Sequence, residues 1–147
     1  MAPVTYRSFL SYSHADQKWA KWLHTRLEHF KVDKDLIGRL TVHGRVPDSL
    51  YPIFRDRFEF GAGDTLLEQT RTAIDNSGSL IVICSAHAAR SKYVDQEIAL
   101  FRVKHPERPI IPVIVSGSPG SGGDIDLLQW LRSAADGARV SGDSRIK

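Results

Sequence analysis

The stretch Ser79-Leu80-Ile81-Val82-Ile83-Cys84 decides the fold of this chain. Its unbroken apolar run is typical of a strand that is buried on both faces of a parallel sheet. Residues 109–115 form a second run of similar type. Helical patterns alternate with the strand patterns along the chain, and this order predicts an open parallel α/β sheet flanked by helices.

Two further strands are predicted in the first half of the chain, over residues 6–12 and 50–54. Pro52 favours an edge position for the second of them, because proline cannot donate a hydrogen bond to a sheet ladder. Residues 31–49, between these strands, show no clear period and predict a long polar connection. We therefore expect four parallel strands before residue 117.

Two helices are predicted around the second strand. Asp16 is a candidate cap for the first helix, and Thr65 with Glu68 has the spacing of a capping box for the other. The first helix carries an apolar stripe that we expect to lie in the core. Its members are Trp19, Trp22, Leu23, Leu27 and Phe30.

The bulk composition excludes several classes of protein. A single cysteine rules out an intramolecular disulfide framework and suits a reducing compartment. No apolar stretch approaches the roughly 20 residues of a membrane span, and the first residues lack the features of a signal peptide. The net charge of +3 comes from scattered basic residues without a long run. We therefore expect a cytoplasmic domain that binds neither a membrane nor nucleic acid.

Glu97 is the strongest candidate for a functional residue. The run Ser91-Lys92-Tyr93-Val94-Asp95-Gln96-Glu97 begins a helix whose buried stripe includes Val94, Ile98 and Phe101. Glu97 lies between these residues at helical spacing, so its carboxylate is expected to point inward. A charged group aimed inward is costly unless it is paired or lines a cavity. Taken alone, the residues leave open a structural carboxylate paired with an arginine or lysine.

The predicted topology gathers several segments at one edge of the sheet. Right-handed crossovers bring the segments that follow parallel strands to the same rim, where such folds bind ligands. These segments are 12–14, 56–63 and 85–93. Arg55 and Arg57 belong either to a solvated face or to a phosphate contact. The histidines show no metal-ligand spacing, so no metal is expected.

Four stretches of the sequence, in this order, resemble the bacterial type of Toll/interleukin-1 receptor (TIR) domain. The resemblance covers about residues 5–117 and implies a flavodoxin-like, three-layer fold for residues 1–117. A Gly/Ser linker, a short helix and a flexible tail are expected over 118–147, where the family's fifth strand and closing helix are not legible. The resembling segments are Phe9-Leu10-Ser11-Tyr12-Ser13-His14-Ala15-Asp16, Ile53-Phe54-Arg55-Asp56, residues 73–85 and Ser91-Lys92-Tyr93-Val94-Asp95-Gln96-Glu97.

The resemblance implies cleavage of NAD⁺ between nicotinamide and ribose, giving ADP-ribose or a cyclic form of it. NAD⁺ would be the substrate, no cofactor is implied, and copies of the domain would associate with one another in bacterial defence or signalling. Glu97 would be the catalytic carboxylate. The alternative is a non-catalytic interaction module in which Glu97 is structural. The implied substrate contacts are Tyr12, Ser13, His14, Asp56, Gly63 and Tyr93, the last standing where many members carry tryptophan.

Overall fold

The computed structural model describes residues 5–55 and 68–115. Within these ranges the alternation of strands and helices follows the predicted order. None of the helices there is long and apolar enough to cross a bilayer. In chain order the elements are β1 (Ser8–Ser11), α1 (Gln17–Glu28), β2 (Leu40–Thr41), β3 (Gly44–Arg45), β4 (Ile53–Arg55), α2 (Glu68–Asp75), β5 (Leu80–Cys84), α3 (Ala86–Ala89), α4 (Lys92–Lys104) and β6 (Ile110–Ile114).

The main sheet is parallel and has the spatial order β4-β1-β5-β6. Phe9 of β1 pairs with Phe54 of β4 on one side and with Leu80 of β5 on the other. Every residue of β5 is buried, as the apolar run predicts. The central pair of strands, β1 and β5, is therefore the most enclosed part of the fold.

The two outer strands of this sheet differ from the prediction in one respect. β4 lies at an edge, as Pro52 predicted. The expectation that β6 would be buried like β5 is wrong, since Ile111 and Ile114 are 43% and 41% exposed. Within the part of the chain that the structure describes, β6 pairs only with β5, so its side chains have neighbours on one side.

The β4 edge is covered by side chains of α1. Glu28 Oε2 accepts a hydrogen bond from the backbone N–H of Ile53 at 3.0 Å, and His24 Nε2 lies 2.8 Å from the Ile53 carbonyl oxygen. An uncovered edge strand presents backbone groups to other chains, and these contacts occupy them. The helix therefore fixes β4 as well as covering one face of the sheet.

Helices cover both faces of the sheet and complete a three-layer, flavodoxin-like fold. Leu10 belongs to the core cluster on the α1 face, together with Ala20, Ile53, Ile81 and Ile83. Phe9 points to the opposite face because side chains alternate along a strand. There it packs in a larger cluster with residues of α2, α3 and α4 that include Ile74, Ala88, Val94, Ile98 and Phe101.

The prediction that Trp19, Trp22 and Phe30 lie in the core is wrong, since they are 49%, 53% and 57% exposed. The two tryptophan rings meet edge to face at 6.2 Å. The Arg26 guanidinium lies 5.5 Å from the Trp22 ring centroid. The small side chain of Ala20 is fully buried instead, with Leu23 packed against the same cluster. The helix is thus rotated so that the tryptophans flank its buried face.

The connection between α1 and β4 is more structured than predicted. β2 and β3 form a short antiparallel hairpin in which Thr41 Oγ1 donates to the Gly44 carbonyl oxygen at 2.7 Å. Gly44 adopts φ +106°, a backbone conformation that residues other than glycine rarely adopt. A two-residue strand is too short to show a period of two, which is why the pattern did not reveal it.

Truncation of Phe101 tests the packing of α4 on the sheet. Phe101 is fully buried, so Phe101→Ala should lower the free energy of unfolding by about 3–5 kcal/mol through lost burial and a residual cavity. Val103 lies on the same helix and is 77% exposed, so Val103→Ala should change it by less than about 0.5 kcal/mol. Urea unfolding followed by circular dichroism measures both, and equal effects would contradict the packing described above.

Candidate functional site

The sheet topology creates a crevice between β1 and β5. The chain leaves β1 toward β4 on one side and leaves β5 toward β6 on the other, so the order of the strands reverses between them. In open α/β sheets such a reversal separates the segments beyond the carboxyl ends of the two strands and forms the usual ligand site. The segments at this position are residues 12–16 after β1 and residues 85–91 after β5.

Glu97 reaches the carboxyl end of β1 from the second turn of α4. This helix begins at Lys92, where the Ser91 Oγ accepts a hydrogen bond from the Val94 N–H at 3.3 Å. Glu97 is 4% exposed and faces the sheet with Val94 and Ile98, which confirms that it points inward. Ser11 Oγ donates a hydrogen bond to Glu97 Oε1 at 3.0 Å.

A second buried carboxylate connects the two segments of the crevice. Asp16 precedes α1 as predicted, but its side chain does not cap that helix. It is 6% exposed and accepts a short hydrogen bond from the hydroxyl of Ser85. Ser85 Oγ in turn accepts from the Ala88 N–H at 3.0 Å and so caps α3. One hydroxyl thus joins the segment after β1 to the start of the segment after β5.

The other predicted site residues after β1 differ in their surroundings. Tyr12 is half-buried and packs against the core cluster on the α1 face. Ser13 is half-buried, and its carbonyl oxygen accepts from the Asp16 N–H at 2.8 Å, which closes a 3-10 turn over residues 14–16. His14 is exposed at the start of that turn. The turn therefore presents its polar groups at the rim of the crevice.

Tyr93 lies on α4 one helical turn before Glu97 and is half-buried. This spacing places both residues on one side of the helix. Asp56 and Gly63 lie outside the described residues, as do Arg57, Thr65 and the linker, short helix and tail predicted over 118–147. The structure thus gathers Tyr12, Ser13 and His14 on the β1 side of the crevice and Tyr93 with Glu97 on the α4 side.

Arg55 and Cys84 end two of the strands that border the site. Arg55 is half-buried, and its Nε is a buried donor without a hydrogen-bond partner among residues 5–55 and 68–115. Cys84 is fully buried. Burial raises the pKa of the Cys84 thiol to about 11, although a hydrogen bond to the Val113 backbone opposes the rise. A thiol with so high a pKa is a poor nucleophile at neutral pH, so Cys84 is a core residue.

Sequence reasoning missed the polar partners of the buried carboxylates. Ser11 and Ser85 lie at or just beyond strand ends, where the sequence does not indicate which carboxylate each hydroxyl contacts. For Ser11 the alternation of side chains along β1 was a usable signal, because it places Ser11 on the same face as Phe9 and α4. The contact between Ser85 and Asp16 joins residues far apart in the chain and had no local signal.

Ser85 and Ser91 form a matched pair for testing the link between the crevice segments. Both hydroxyls cap a helix, but only that of Ser85 also donates to a buried carboxylate. Ser91→Ala should cost about 1 kcal/mol of stability, as loss of a cap does. Ser85→Ala should cost about 1–3 kcal/mol more, because Asp16 loses its donor while buried. Urea unfolding measures the difference, and an equal cost would contradict the link.

Comparisons with known proteins fit this architecture. The family model described as TIR domain matches residues 9–140. The NAD(+) hydrolase ApTIR of Actinoplanes sp. is 30% identical over an alignment of 128 residues, and the match covers 84% of this chain and 16% of that protein. The TIR domains of the activated Roq1 resistosome that directly recognizes the pathogen effector XopQ superpose with a TM-score of 0.55. That match covers 92% of this chain and 84% of the other at 15% identity, which shows a shared fold alone. The chain belongs to the TIR domain family.

Proposed function

We propose that this domain hydrolyses NAD⁺ at the bond between nicotinamide and ribose, with Glu97 as the catalytic carboxylate. The observation that carries the proposal is an inward-facing carboxylate at the carboxyl end of β1, beside the crevice where α/β sheets bind ligands. Similarity to the NAD(+) hydrolase ApTIR over 84% of this chain supports NAD⁺ as the substrate. The reaction proposed here uses no cofactor.

The proposed chemistry needs a carboxylate more than it needs an acid. The bond between C1′ of the ribose and the nicotinamide nitrogen breaks, and its electron pair neutralises the positive charge of the pyridinium ring. Nicotinamide then leaves as a neutral molecule, so little protonation is required. Water adds to C1′ and releases a proton, which gives ADP-ribose. Addition of an adenine nitrogen in place of water would give a cyclic ADP-ribose.

A fixed carboxylate lowers the barrier by stabilising the charge that develops on the ribose. As the C1′–N bond stretches, the sugar gains oxocarbenium character, and a nearby negative charge becomes more favourable at that moment. Hydrogen bonds from ribose hydroxyls to such a carboxylate can also strengthen in the transition state, as in sugar hydrolysis. Glu97 is suited to this role because it is held in place before the substrate arrives.

The remaining proposed contacts follow the shape of the substrate. We place Tyr12, Ser13 and His14 along the nucleotide and Tyr93 beside the nicotinamide, where an aromatic face can stack on a cationic ring. Arg55 is proposed to contact the pyrophosphate, since its unpartnered Nε would gain an anionic acceptor. Asp56 and Gly63, which lie outside the described residues, are proposed to contact the substrate from the two ends of one loop.

A non-catalytic interaction module is the second candidate. The observation in its favour is the deep burial of Glu97, whose carboxylate accepts a bond from the equally buried Ser11. A carboxylate with only a structural role would have the same surroundings. The two candidates differ in what replacement of this carboxylate by an amide should do to turnover.

Replacement of Glu97 by glutamine separates these candidates. The amide of Glu97→Gln keeps the shape of the side chain and can still accept the bond from Ser11, but it lacks the negative charge. We expect nicotinamide release to fall by about 10²–10³-fold, with the melting temperature nearly unchanged. Glu107→Gln is the control, because Glu107 is exposed beyond the end of α4. Nicotinamide is quantified by liquid chromatography.

Two outcomes of this experiment would contradict the proposal. Full activity in Glu97→Gln would exclude Glu97 as the catalytic group. Absence of nicotinamide release from the concentrated wild-type protein, together with a large loss of stability in Glu97→Gln, would favour the interaction module.

We further propose that the active form is an assembly of several copies of this domain, acting in bacterial defence or signalling in the cytoplasm. Family membership supports this part of the proposal. Specific activity should then rise with protein concentration over the range in which light scattering detects association, because only the associated form turns over. Constant specific activity down to concentrations at which the protein is monomeric would contradict it.

A further inference from the structure

The geometry points to Ser11 as the residue that positions the Glu97 carboxylate for the proposed reaction. This inference rests on the proposed function and adds to it a residue outside the expected substrate contacts. Ser11 Oγ donates to Glu97 Oε1 at 3.0 Å. Ser11 itself is 1% exposed, so it acts through Glu97 rather than by touching the substrate.

Ser11 provides a rigid point of attachment for the carboxylate. It is the last residue of β1, which is paired on both sides by other strands, and it lies opposite Val82 of the fully buried strand β5. A side chain on such a strand moves less than one on a loop, because its backbone is held by hydrogen bonds and packing. The backbone of β1 therefore holds the Ser11 hydroxyl in a fixed position.

The hydrogen bond from Ser11 restrains a long side chain. A glutamate has three rotatable bonds between its backbone and its carboxylate, and the backbone of α4 fixes only the start of that chain. A hydrogen bond to one carboxylate oxygen limits these rotations and fixes the direction of the charge. Groups held in the productive geometry before the substrate binds contribute to the rate, and a displacement of about 1 Å can cost on the order of 100-fold.

A purely structural role for Ser11 predicts a different result. If the hydroxyl served only to satisfy a buried carboxylate, its removal would lower stability without a specific effect on turnover. If it positions the carboxylate, its removal should lower kcat while KM stays nearly constant. Glu97 would then be misplaced relative to the reacting ribose, whereas the residues that bind the rest of the nucleotide would be unchanged. The ratio of these two effects is therefore the informative readout.

β1 offers a matched control at its opposite end. Ser8 is also buried, and its Oγ lies 2.5 Å from Ser79 Oγ, so Ser8→Ala removes a buried hydroxyl from the same strand. Ser8 lies about 10 Å along the strand from Ser11. It belongs to no part of the proposed site. Loss of stability alone should affect Ser8→Ala and Ser11→Ala alike.

The experiment compares steady-state NAD⁺ turnover of Ser11→Ala, Ser11→Thr and Ser8→Ala in the full chain. We expect Ser11→Ala to lower kcat by about 10- to 100-fold with KM within about two-fold of the wild type. Ser11→Thr keeps a hydroxyl and should recover most of the loss. Ser8→Ala should retain wild-type kcat. Equal kcat for Ser11→Ala and Ser8→Ala, or a loss confined to KM, would overturn the inference.

Further variants keep the test decisive where Ser11→Ala folds poorly. Ser11→Cys fills the site with a weaker donor and should fold while lowering kcat. Normal kcat in folded Ser11→Cys would overturn the inference. The two proposals also fail separately. Full activity in Glu97→Gln would remove the proposed function, whereas loss of activity in Glu97→Gln with normal kcat in Ser11→Ala would remove only the role of Ser11.

Discussion

The bond between Ser11 and Glu97 joins the central strand of the sheet to the helix that packs across it. A carboxylate buried among Val94, Ile98 and the end of β1 would be costly without a donor. Ser11 supplies one from β1, which is paired on both sides and continues directly into the crevice. This hydrogen bond links β1 to α4, so the packing of α4 on the sheet also fixes the position of the Glu97 carboxylate.

A second pair, Ser85 with Asp16, acts in the same way on the segments of the crevice. It joins the turn after β1 to the start of α3, so neither segment can shift without breaking a buried charge-assisted bond. Both pairs place a serine hydroxyl at or just after a strand end against a carboxylate from another element. The crevice is therefore shaped by buried polar contacts as well as by the topology of the sheet.

Much of the fold could be predicted from the sequence, because several of its elements are encoded by patterns of residues that lie close together in the chain. The apolar run of β5, the inward spacing of Glu97 on α4 and the edge position marked by Pro52 were all confirmed. The wrong predictions concern burial. A small rotation of a helix, or the number of strands beside a strand, decides whether such side chains are buried. Trp19 and Trp22 lie one position away from the buried face of α1, and β6 has the composition of a central strand but pairs only with β5 among the described residues.

The polar partners in the site could not be predicted, because they depend on contacts between distant parts of the chain. Ser11 and Glu97 become neighbours only after β1 and α4 have packed. The alternation along β1 indicates the face on which Ser11 lies, but not that Glu97 is its partner. NAD⁺ hydrolysis by this domain is tested most directly by mass spectrometry of NAD⁺ incubated with concentrated, folded protein in ¹⁸O-labelled water. We expect one nicotinamide for each NAD⁺ consumed, with one ¹⁸O in any linear ADP-ribose. Unchanged NAD⁺ at concentrations where the protein has associated would contradict the proposed hydrolysis.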